Sequence, residues 1–248
     1  MQVLIVGGYG LIGGEITKAL LREDMKLTGL ARPGRLDTRN PDSHWRGTAL
    51  ADNVDWIEAD LQTLTGAADW LPLIKGCDAV INASGALQSG GRDDLAAIQR
   101  DAICALVAAC EQAGIANFVQ ISAPGADPGA GLEFLATKGA ADDALRRSSL
   151  NWTILKPGLV IAPTAYGGTS LLRMLAGVPL IQPIVLADAR VQSVGVGDVA
   201  RATLRALREP ALWRREFDLM EPAPRSLEET VLAFRHWLGF APPLATLA

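Results

Sequence analysis

Short apolar runs alternate with longer segments of helical period over the first 160 residues of the chain. The apolar runs are typical of buried strands, and they are QVLIV, KLTGLA, VDWIEA, CDAVINA, NFVQIS and NWTILKP. The segments that we predict as helices are residues 11–22, 65–74, 92–113 and 131–147. Alternation of this kind is typical of βαβ units on a parallel sheet. The pattern therefore predicts an α/β fold with a doubly wound parallel sheet.

The alternation of apolar runs and helical segments becomes irregular beyond residue 160. Glycine and proline interrupt an irregular region there, at Pro163, Gly167, Gly168, Pro179 and Pro183. A helix over 198–208, a strand near EFDLM and a helix over 226–238 are predicted to follow. We expect Asp198 and Ser226 to cap these two helices, because both residue types accept hydrogen bonds from a free helix N-terminus.

The chain is long enough for one large α/β domain with a buried core, since it has 248 residues and 49% of them are hydrophobic. We expect residues 1–160 to form the dinucleotide-binding core. Residues 161–248 are expected to form a small C-terminal region on the substrate side, with its helices packed on the same domain.

Composition also limits the classes of function. The net charge of −4 argues against a nucleic-acid partner, since domains that bind nucleic acid usually carry a basic face. The three cysteines form no C-x-x-C pair, so we expect neither a metal site nor a disulfide framework. No apolar run reaches the length of a membrane span, and no secretory signal is recognised. These features predict a cytoplasmic protein with no membrane partner.

Five glycines stand within nine residues at the end of the first predicted strand, in VGGYGLIGG. Gly7, Gly10 and Gly13 have the spacing G-x-x-G-x-x-G between that strand and the first helix. A dinucleotide pyrophosphate binds at this position, on the N–H groups of a helix N-terminus. Tight packing of a strand against a helix also requires glycine, so the motif alone leaves both interpretations open. The other binding candidates in this turn are Tyr9, Leu11 and Ile12.

The end of the second predicted strand indicates which dinucleotide to expect. No carboxylate stands there to bind the ribose 2′-hydroxyl of NAD. Arg32, Arg35 and Arg39 lie there instead, and their positive charge suits a 2′-phosphate. We therefore expect NADP as the cofactor, with NAD as the alternative. A solvated basic loop is the other interpretation, and for Arg35 and Arg39 it has equal weight.

Several short motifs along the chain occur together in one protein superfamily. They are GGYGLIG, ADL, NASG, ISAPG, the lysine of FLATK, and LKPG. Their combination resembles the short-chain dehydrogenase/reductase superfamily over residues 1 to about 210. Within it the chain is similar to the atypical branch of NmrA-like, isoflavone-reductase-like and epimerase-dehydratase-like NAD(P)-binding proteins. The resemblance implies a Rossmann-type fold with a bound dinucleotide.

The resemblance also implies positions around that dinucleotide. They are Asp60 and Leu61 at the adenine, Ala83 and Ser84 along the nicotinamide ribose, Ser122 beside the reacting carbon, and Pro157 and Gly158 at the nicotinamide end. These roles come from the motifs that match, and spacing alone would not assign them.

The catalytic unit of the superfamily is a serine followed by Y-x-x-x-K, in which the tyrosine moves the substrate proton. Ser122 matches the serine and Lys138 the lysine, but Phe134 stands at the tyrosine position. A phenyl ring carries no exchangeable proton, and a positioned acid or base is typically worth roughly 10² to 10⁴ in rate. The isoflavone-reductase group resembles this case, with the lysine kept and the tyrosine absent.

Other groups could supply the proton. Lys138 could act as the acid or base itself, although an exposed helix lysine is the alternative interpretation. Ser122 could equally be a strand-end hydroxyl whose hydrogen bonds are satisfied within the protein. Tyr166 lies in the irregular loop after LKPG and could offer a phenol, with loop packing as the simpler role.

Two functions of different classes fit these observations. The first is an NADP-preferring oxidoreductase that reduces a small carbonyl, enone or quinone-like substrate without the usual tyrosine. The second is a non-catalytic, NmrA-like module that senses the dinucleotide, and Phe134 favours it. Both have small-molecule ligands, and a homodimer is compatible with either.

Overall fold

The computed structural model describes residues 1–34, 53–86, 94–164 and 167–247 of the chain. The chain forms two compact units. The first comprises Met1–Lys156 and Gly197–Asp218, and the second comprises Pro157–Val196 and Leu219–Ala248. The chain therefore leaves the first unit near residue 156 and later returns to it for one further helix and strand.

The secondary structure follows the predicted alternation. The strands within the described residues are β1 (Gln2–Val6), β2 (Lys26–Ala31), β3 (Asp55–Glu58), β4 (Ala79–Asn82), β5 (Asn117–Ile121), β6 (Asn151–Pro157), β7 (Leu159–Ile161), β8 (Ile181–Pro183), β9 (Arg190–Val191), β10 (Ser193–Gly195), β11 (Arg215–Leu219), β12 (Arg225–Ser226) and β13 (Ala245–Leu247). The α-helices in the same part of the chain are α1 (Leu11–Leu21), α2 (Ala67–Trp70), α3 (Ala102–Ala113), α4 (Glu133–Arg147), α5 (Gly168–Ala176), α6 (Val196–Arg208) and α7 (Leu227–Trp237). A π-helical turn, Ala96–Asp101, leads into α3. Strands β1 to β6 are the six strands that the apolar runs predicted.

Seven strands form the central sheet, in the order β11-β6-β5-β4-β1-β2-β3. The pairs from β3 across to β6 are all parallel. The chain runs outward from β1 to β3, crosses back, and runs outward again from β4 on the other side of β1. This doubly wound order confirms the predicted Rossmann-type fold. It also creates a switch point between β1 and β4, where the carboxyl ends of parallel strands commonly hold a ligand.

The middle of the sheet is buried on both faces, as the unbroken apolar runs of its strands predict. Val3 and Leu4 of β1 point to opposite faces, and neither is exposed. On one face Leu4 and Phe118 share an apolar cluster with Leu106 of α3 and with Trp70. The Trp70 indole N–H donates to the Leu64 carbonyl at 3.0 Å, which satisfies the polar atom of a fully buried ring.

The second unit is built from short pieces rather than from one sheet. Its strands form three pairs, β7 with β10, β9 with β12, and β8 with β13. Its own apolar cluster includes Ile184, Val231 and Phe234. Ser226 caps α7 as predicted, because its side chain accepts a hydrogen bond from the Glu229 N–H at 3.0 Å.

Two differences from the predicted helices concern a helix cap and an early helix end. The predicted cap Asp198 is wrong, because α6 begins at Val196 and Asp198 lies in its first turn, paired with Arg201. The predicted helix over 65–74 is present only as α2, Ala67–Trp70. Pro72 explains this early end, since proline lacks the N–H that would bond to the Ala68 carbonyl one turn earlier.

No helix in the described ranges is both long and apolar enough to cross a membrane. Over the same residues, no cluster of three His, Cys, Asp or Glu side chains could hold a metal ion. The three cysteines are free thiols, and burial raises the pKa of Cys110 to about 12. The Cys110 thiol is therefore uncharged at neutral pH.

Replacing Gly139 should destabilise the first unit. A Cβ at Gly139 would lie 2.3–2.5 Å from backbone atoms of Asp127, which cannot rotate away. Alanine normally stabilises a helix interior relative to glycine, but overpacking against fixed atoms costs about 1–3 kcal/mol. We expect Gly139→Ala to lower the urea midpoint. Gly131→Ala, where a Cβ meets nothing within 4 Å, should leave the midpoint within error; equal midpoints for the two variants would contradict the close approach.

Candidate functional site

The glycine turn joins β1 to α1 at the switch point of the sheet. Gly7 has a φ of 76°, a conformation that glycine adopts without strain, and its carbonyl accepts the Gly10 N–H at 3.0 Å. Gly10 is the N-cap residue of α1 and offers no side chain to cap the helix. The N–H groups of the first turn of α1 are thus available to an anion, together with the positive end of the helix dipole.

Packing accounts for two of the three spaced glycines. A Cβ at Gly7 would lie 2.8 Å from the Ser84 Cα, and one at Gly13 only 2.1 Å from the Gly7 oxygen. A Cβ at Gly10 would meet only the Gly7 oxygen, at 3.4 Å. Packing therefore explains Gly7 and Gly13, which allow β1, α1 and the end of β4 to approach. The binding of a pyrophosphate at this turn stays a prediction.

Arg32 directly follows β2 at the carboxyl edge of the sheet, and it is half-buried. In the neighbouring strand Glu58 is paired in register with Ala31, and its Oε1 accepts the Gly34 N–H at 3.0 Å. This acidic neighbour of the arginine turn was not singled out from the sequence, because it belongs to the next strand. Arg35 and Arg39 lie outside the described residues, as does Tyr166.

The ends of β3 and β4 carry polar groups that are fixed by local hydrogen bonds. Asp60 follows β3 and accepts the Gln62 N–H at 3.1 Å, so that it caps the short 3-10 turn starting at Leu61. At the end of β4, Asn82 Oδ1 accepts the Ser84 N–H at 3.0 Å and the Ser84 hydroxyl at 2.6 Å. These bonds hold Ala83 and Ser84 in the turn that faces Gly7.

Helix α4 is attached to the end of β5 by two buried hydrogen bonds. The Lys138 amine donates to the Ile121 carbonyl at 3.0 Å, and the Ser122 hydroxyl donates to Asp142 Oδ2 at 2.5 Å. Lys138 is 6% exposed, Ser122 4% and Asp142 0%. Lys138 and Asp142 are four residues apart and so lie on one face of the helix. The alternative of an exposed helix lysine is therefore wrong.

The carboxyl ends of β4 and β5 meet around Lys138. A Cβ at Gly85, just beyond β4, would lie 3.6 Å from the Lys138 Nζ. The Phe134 ring centroid is 5.7 Å from the same nitrogen, so the phenyl group faces the amine. Gly85 follows Ser84, which packs against Gly7. The NASG turn thus contacts the glycine turn through Ser84 and the Lys138 amine through Gly85.

Burial shifts the pKa values of Lys138 and Asp142 toward neutral pH. It lowers the pKa of Lys138 to about 8, although the negative charge of Asp142 acts in the opposite direction. It raises the pKa of Asp142 to about 6, against the hydrogen bond from Ser122 and the nearby positive charges. Desolvation outweighs the mutual attraction in each case. Groups that titrate near neutral pH in a cleft are candidates for proton transfer.

Asp142 is the site residue that the sequence analysis missed. The available signal was its position four residues after Lys138 on a predicted helix, which places both on one face. That signal was weak because a second aspartate, Asp143, follows immediately. Only the tertiary structure shows which of the two aspartates is buried. Asp142 is buried against Ser122, whereas Asp143 is half-exposed and pairs with Arg146.

Pro157 and Gly158 belong to the second unit, and their predicted contact with the nicotinamide end stays a prediction. Within that unit Gly158 donates its N–H to the Leu219 carbonyl at 3.0 Å. A Cβ at Gly158 would lie 2.4 Å from the Gln192 oxygen, so packing alone requires glycine there.

Known proteins match the chain over most of its length. A family model described as NAD(P)H-binding matches residues 7–210. The UPF0659 protein YMR090W of Saccharomyces cerevisiae is 30% identical, over 85% of this chain and 88% of its own length. The ceramide reductase of Caulobacter vibrioides is 25% identical, over 99% of this chain and 73% of its own length.

Solved structures share the fold at lower identity. The Bordetella bronchiseptica enzyme WbmH, in complex with NAD+, superposes with a TM-score of 0.78 at 19% identity, covering 99% of this chain and 85% of the other. Thermus thermophilus UDP-glucose 4-epimerase, in complex with NAD, gives a TM-score of 0.75 at 20% identity, covering 100% and 86%. At these identities the likeness shows the fold alone.

The buried amine makes the stability of the protein depend on pH. Between about pH 8 and 10.5 the folded state has lost the Lys138 proton while the unfolded state still holds it. The unfolded state then binds more protons, so this group adds stability as pH rises, by at most about 1.4 kcal/mol per pH unit. We expect the wild-type free energy of unfolding, relative to Lys138→Met, to increase between pH 7 and 9.5 in urea titrations. A difference that is constant with pH would contradict a displaced lysine pKa.

Proposed function

The chain belongs to the NAD(P)H-binding family, and from this we propose that it is an NADP-preferring oxidoreductase that reduces a small carbonyl, enone or quinone-like substrate. The observation that carries the proposal is the buried Lys138 amine beside the turns that end β4 and β5. We further propose that residues 161–248 supply the substrate side and that the protein works in the cytoplasm.

The residues present fit a dinucleotide. The first turn of α1, which begins after Gly10 without a side-chain cap, suits the pyrophosphate, because backbone N–H groups at a helix N-terminus bind anionic oxygens. Asp60 and Leu61 would border the adenine, and Ala83 with Ser84 would follow the nicotinamide ribose. A bound nicotinamide supplies the hydride, while the protein binds and orients the two reactants.

Arg32 supports the preference for NADP. Its guanidinium has the charge and the paired donors that a phosphate group needs, and it directly follows β2. Arg35 would add a second positive charge to the same phosphate.

Lys138 would bind the nicotinamide ribose and present positive charge to the substrate oxygen. A buried cation stabilises developing negative charge more strongly than an exposed one, because water does not screen it. The name of the Caulobacter relative, ceramide reductase, supports reduction as the reaction class. The alternative is a module that senses the dinucleotide without turnover, and it is favoured only by Phe134.

Binding measurements test the cofactor preference. Quenching of the six tryptophans should report titration with NADPH and, separately, with NADH. We expect tighter binding of NADPH, and we expect Arg32→Ala to weaken it by about 10- to 100-fold because a charge-assisted contact is lost. Lys26→Ala removes an equal charge at the opposite end of β2 and is the matched control. Tighter binding of NADH, or equal effects of the two variants, would refute the role of Arg32.

Turnover separates the reductase from the sensor. NADPH oxidation should be followed with a panel of small apolar aldehydes, enones and quinones. Lys138→Ala should lower kcat by roughly 10²- to 10⁴-fold, the usual contribution of a positioned catalytic group. Lys75→Ala, at an exposed position, is the control. Tight NADPH binding without oxidation by any member of the panel would favour the sensor instead.

A further inference from the structure

Reduction of a carbonyl requires a proton for the substrate oxygen, and Phe134 cannot provide one. Asp142 lies one helical turn after Lys138 and is fully buried. Its Oδ2 accepts the Ser122 hydroxyl proton at 2.5 Å. Nothing in the proposed function uses this carboxyl group, although it touches the serine that the superfamily places beside the reacting carbon.

The two oxygens of Asp142 are in unequal surroundings. Oδ1 is buried and has no hydrogen-bond partner among the described residues, whereas Oδ2 is bound to Ser122. An unpartnered oxygen of a buried carboxylate is costly, because the negative charge is separated from water. Protonation removes most of this cost, since it leaves only a neutral carbonyl oxygen unpaired. The surroundings of Asp142 therefore favour uptake of a proton.

The charge of Asp142 decides the direction of its bond with Ser122. A serine hydroxyl has one proton, and an ionised carboxylate can only accept hydrogen bonds. While Asp142 is ionised, the Ser122 proton is therefore directed to it and away from any substrate. Once Asp142 is protonated, its own O–H can donate to the Ser122 oxygen. The serine proton is then free to turn toward another acceptor.

We propose that Asp142 is a positioning residue that stores the proton for reduction and, through its own protonation, turns Ser122 into a hydrogen-bond donor toward the substrate oxygen. This inference rests on the proposed function, because it takes a carbonyl oxygen as the acceptor that Ser122 serves.

The transfer balances in atoms and electrons. The Ser122 Oγ–H bond breaks as an O–H bond forms on the substrate oxygen, and the Asp142 Oδ2–H bond breaks as the serine O–H forms again. A bound reduced nicotinamide would supply the hydride and its electron pair to the carbonyl carbon and would thereby be oxidised. Asp142 is left as a carboxylate and regains a proton from solvent. Oxidation of an alcohol reverses each of these changes and starts from the carboxylate.

The charges around Asp142 allow it to gain and lose this proton near neutral pH. Lys138 and Arg146 on α4 and Lys156 on β6 all favour the carboxylate. Arg146 and Lys156 are both bound to Glu216, which offsets part of their charge. Burial acts in the opposite direction and is the largest effect, so the pKa of Asp142 is raised to about 6. Reduction through Asp142 should thus weaken as pH rises above 6.

The first test follows Asp142 without substrate or cofactor. Protein labelled with 13C at the aspartate carboxyl carbons is titrated by NMR, and the signal of Asp142 is identified by its loss in Asp142→Asn. We expect a midpoint near pH 6, and we expect Ser122→Ala to raise it by about half a pH unit or more, because the carboxylate loses a hydrogen bond. Asp143→Asn, the matched control, removes a neighbouring negative charge and should move the midpoint only downward. A midpoint below about 5, or one that Ser122→Ala leaves unchanged, overturns the proposal.

The second test is the pH profile of kcat for reduction of 4-nitrobenzaldehyde by NADPH. We expect kcat to fall about tenfold per pH unit above 6, and we expect Asp142→Asn and Ser122→Ala to remove this dependence and lower kcat at pH 6 by roughly tenfold or more. A fall that begins only above about pH 8 would assign the proton to Lys138 and overturn the proposal. Failure to bind NADPH would refute the proposed function instead, and the NMR titration would still decide the state of Asp142.

Discussion

Two buried hydrogen bonds hold helix α4 on the end of strand β5, and the candidate site depends on both. They join the last residue of β5, Ile121, and the residue after it, Ser122, to helix positions one turn apart, Lys138 and Asp142. Because neither side chain is exposed, the amine and the carboxyl group have one defined position each. Gly139 lies between them in sequence and allows the helix to approach the Asp127 backbone. The same close packing that fixes the helix therefore fixes the polar groups.

The other half of the site is set by close packing of backbone. Gly7 at the end of β1 packs against Ser84 at the end of β4, across the point where the strand order of the sheet reverses. Asn82 holds the Ser84 turn with two hydrogen bonds. The N-terminus of α1 follows this contact directly, and the Lys138 amine lies near Gly85, just beyond β4. The fold thus brings an anion-binding helix end and a buried amine to the same edge of the sheet.

Burial of Lys138 and Asp142 brings the pKa values of two oppositely charged groups closer together. A solvated ion pair would keep both groups charged at neutral pH, but desolvation lowers the pKa of Lys138 and raises that of Asp142. The pair therefore lies close to a change of protonation state, at a cost to stability that a purely structural pair would avoid. This property matters because Phe134 leaves the site without a phenol. The site therefore lacks the tyrosine that would act as the acid, but it contains two other groups whose pKa values are shifted toward neutral pH.

The sequence by itself determined the fold class, the six core strands, the glycine turn and the serine–lysine pair, because these depend on local periodicity and on short motifs. It did not determine which glycines serve packing, since the atoms nearest to a Cβ at Gly7 belong to the turn after β4, more than 70 residues away. It also misassigned the start of α6, where Asp198 pairs with Arg201 instead of capping the helix. Above all, it could not distinguish Asp142 from Asp143. Only the docking of α4 on β5 buries the first and leaves the second half-exposed, and burial is what changes the chemistry of a carboxyl group.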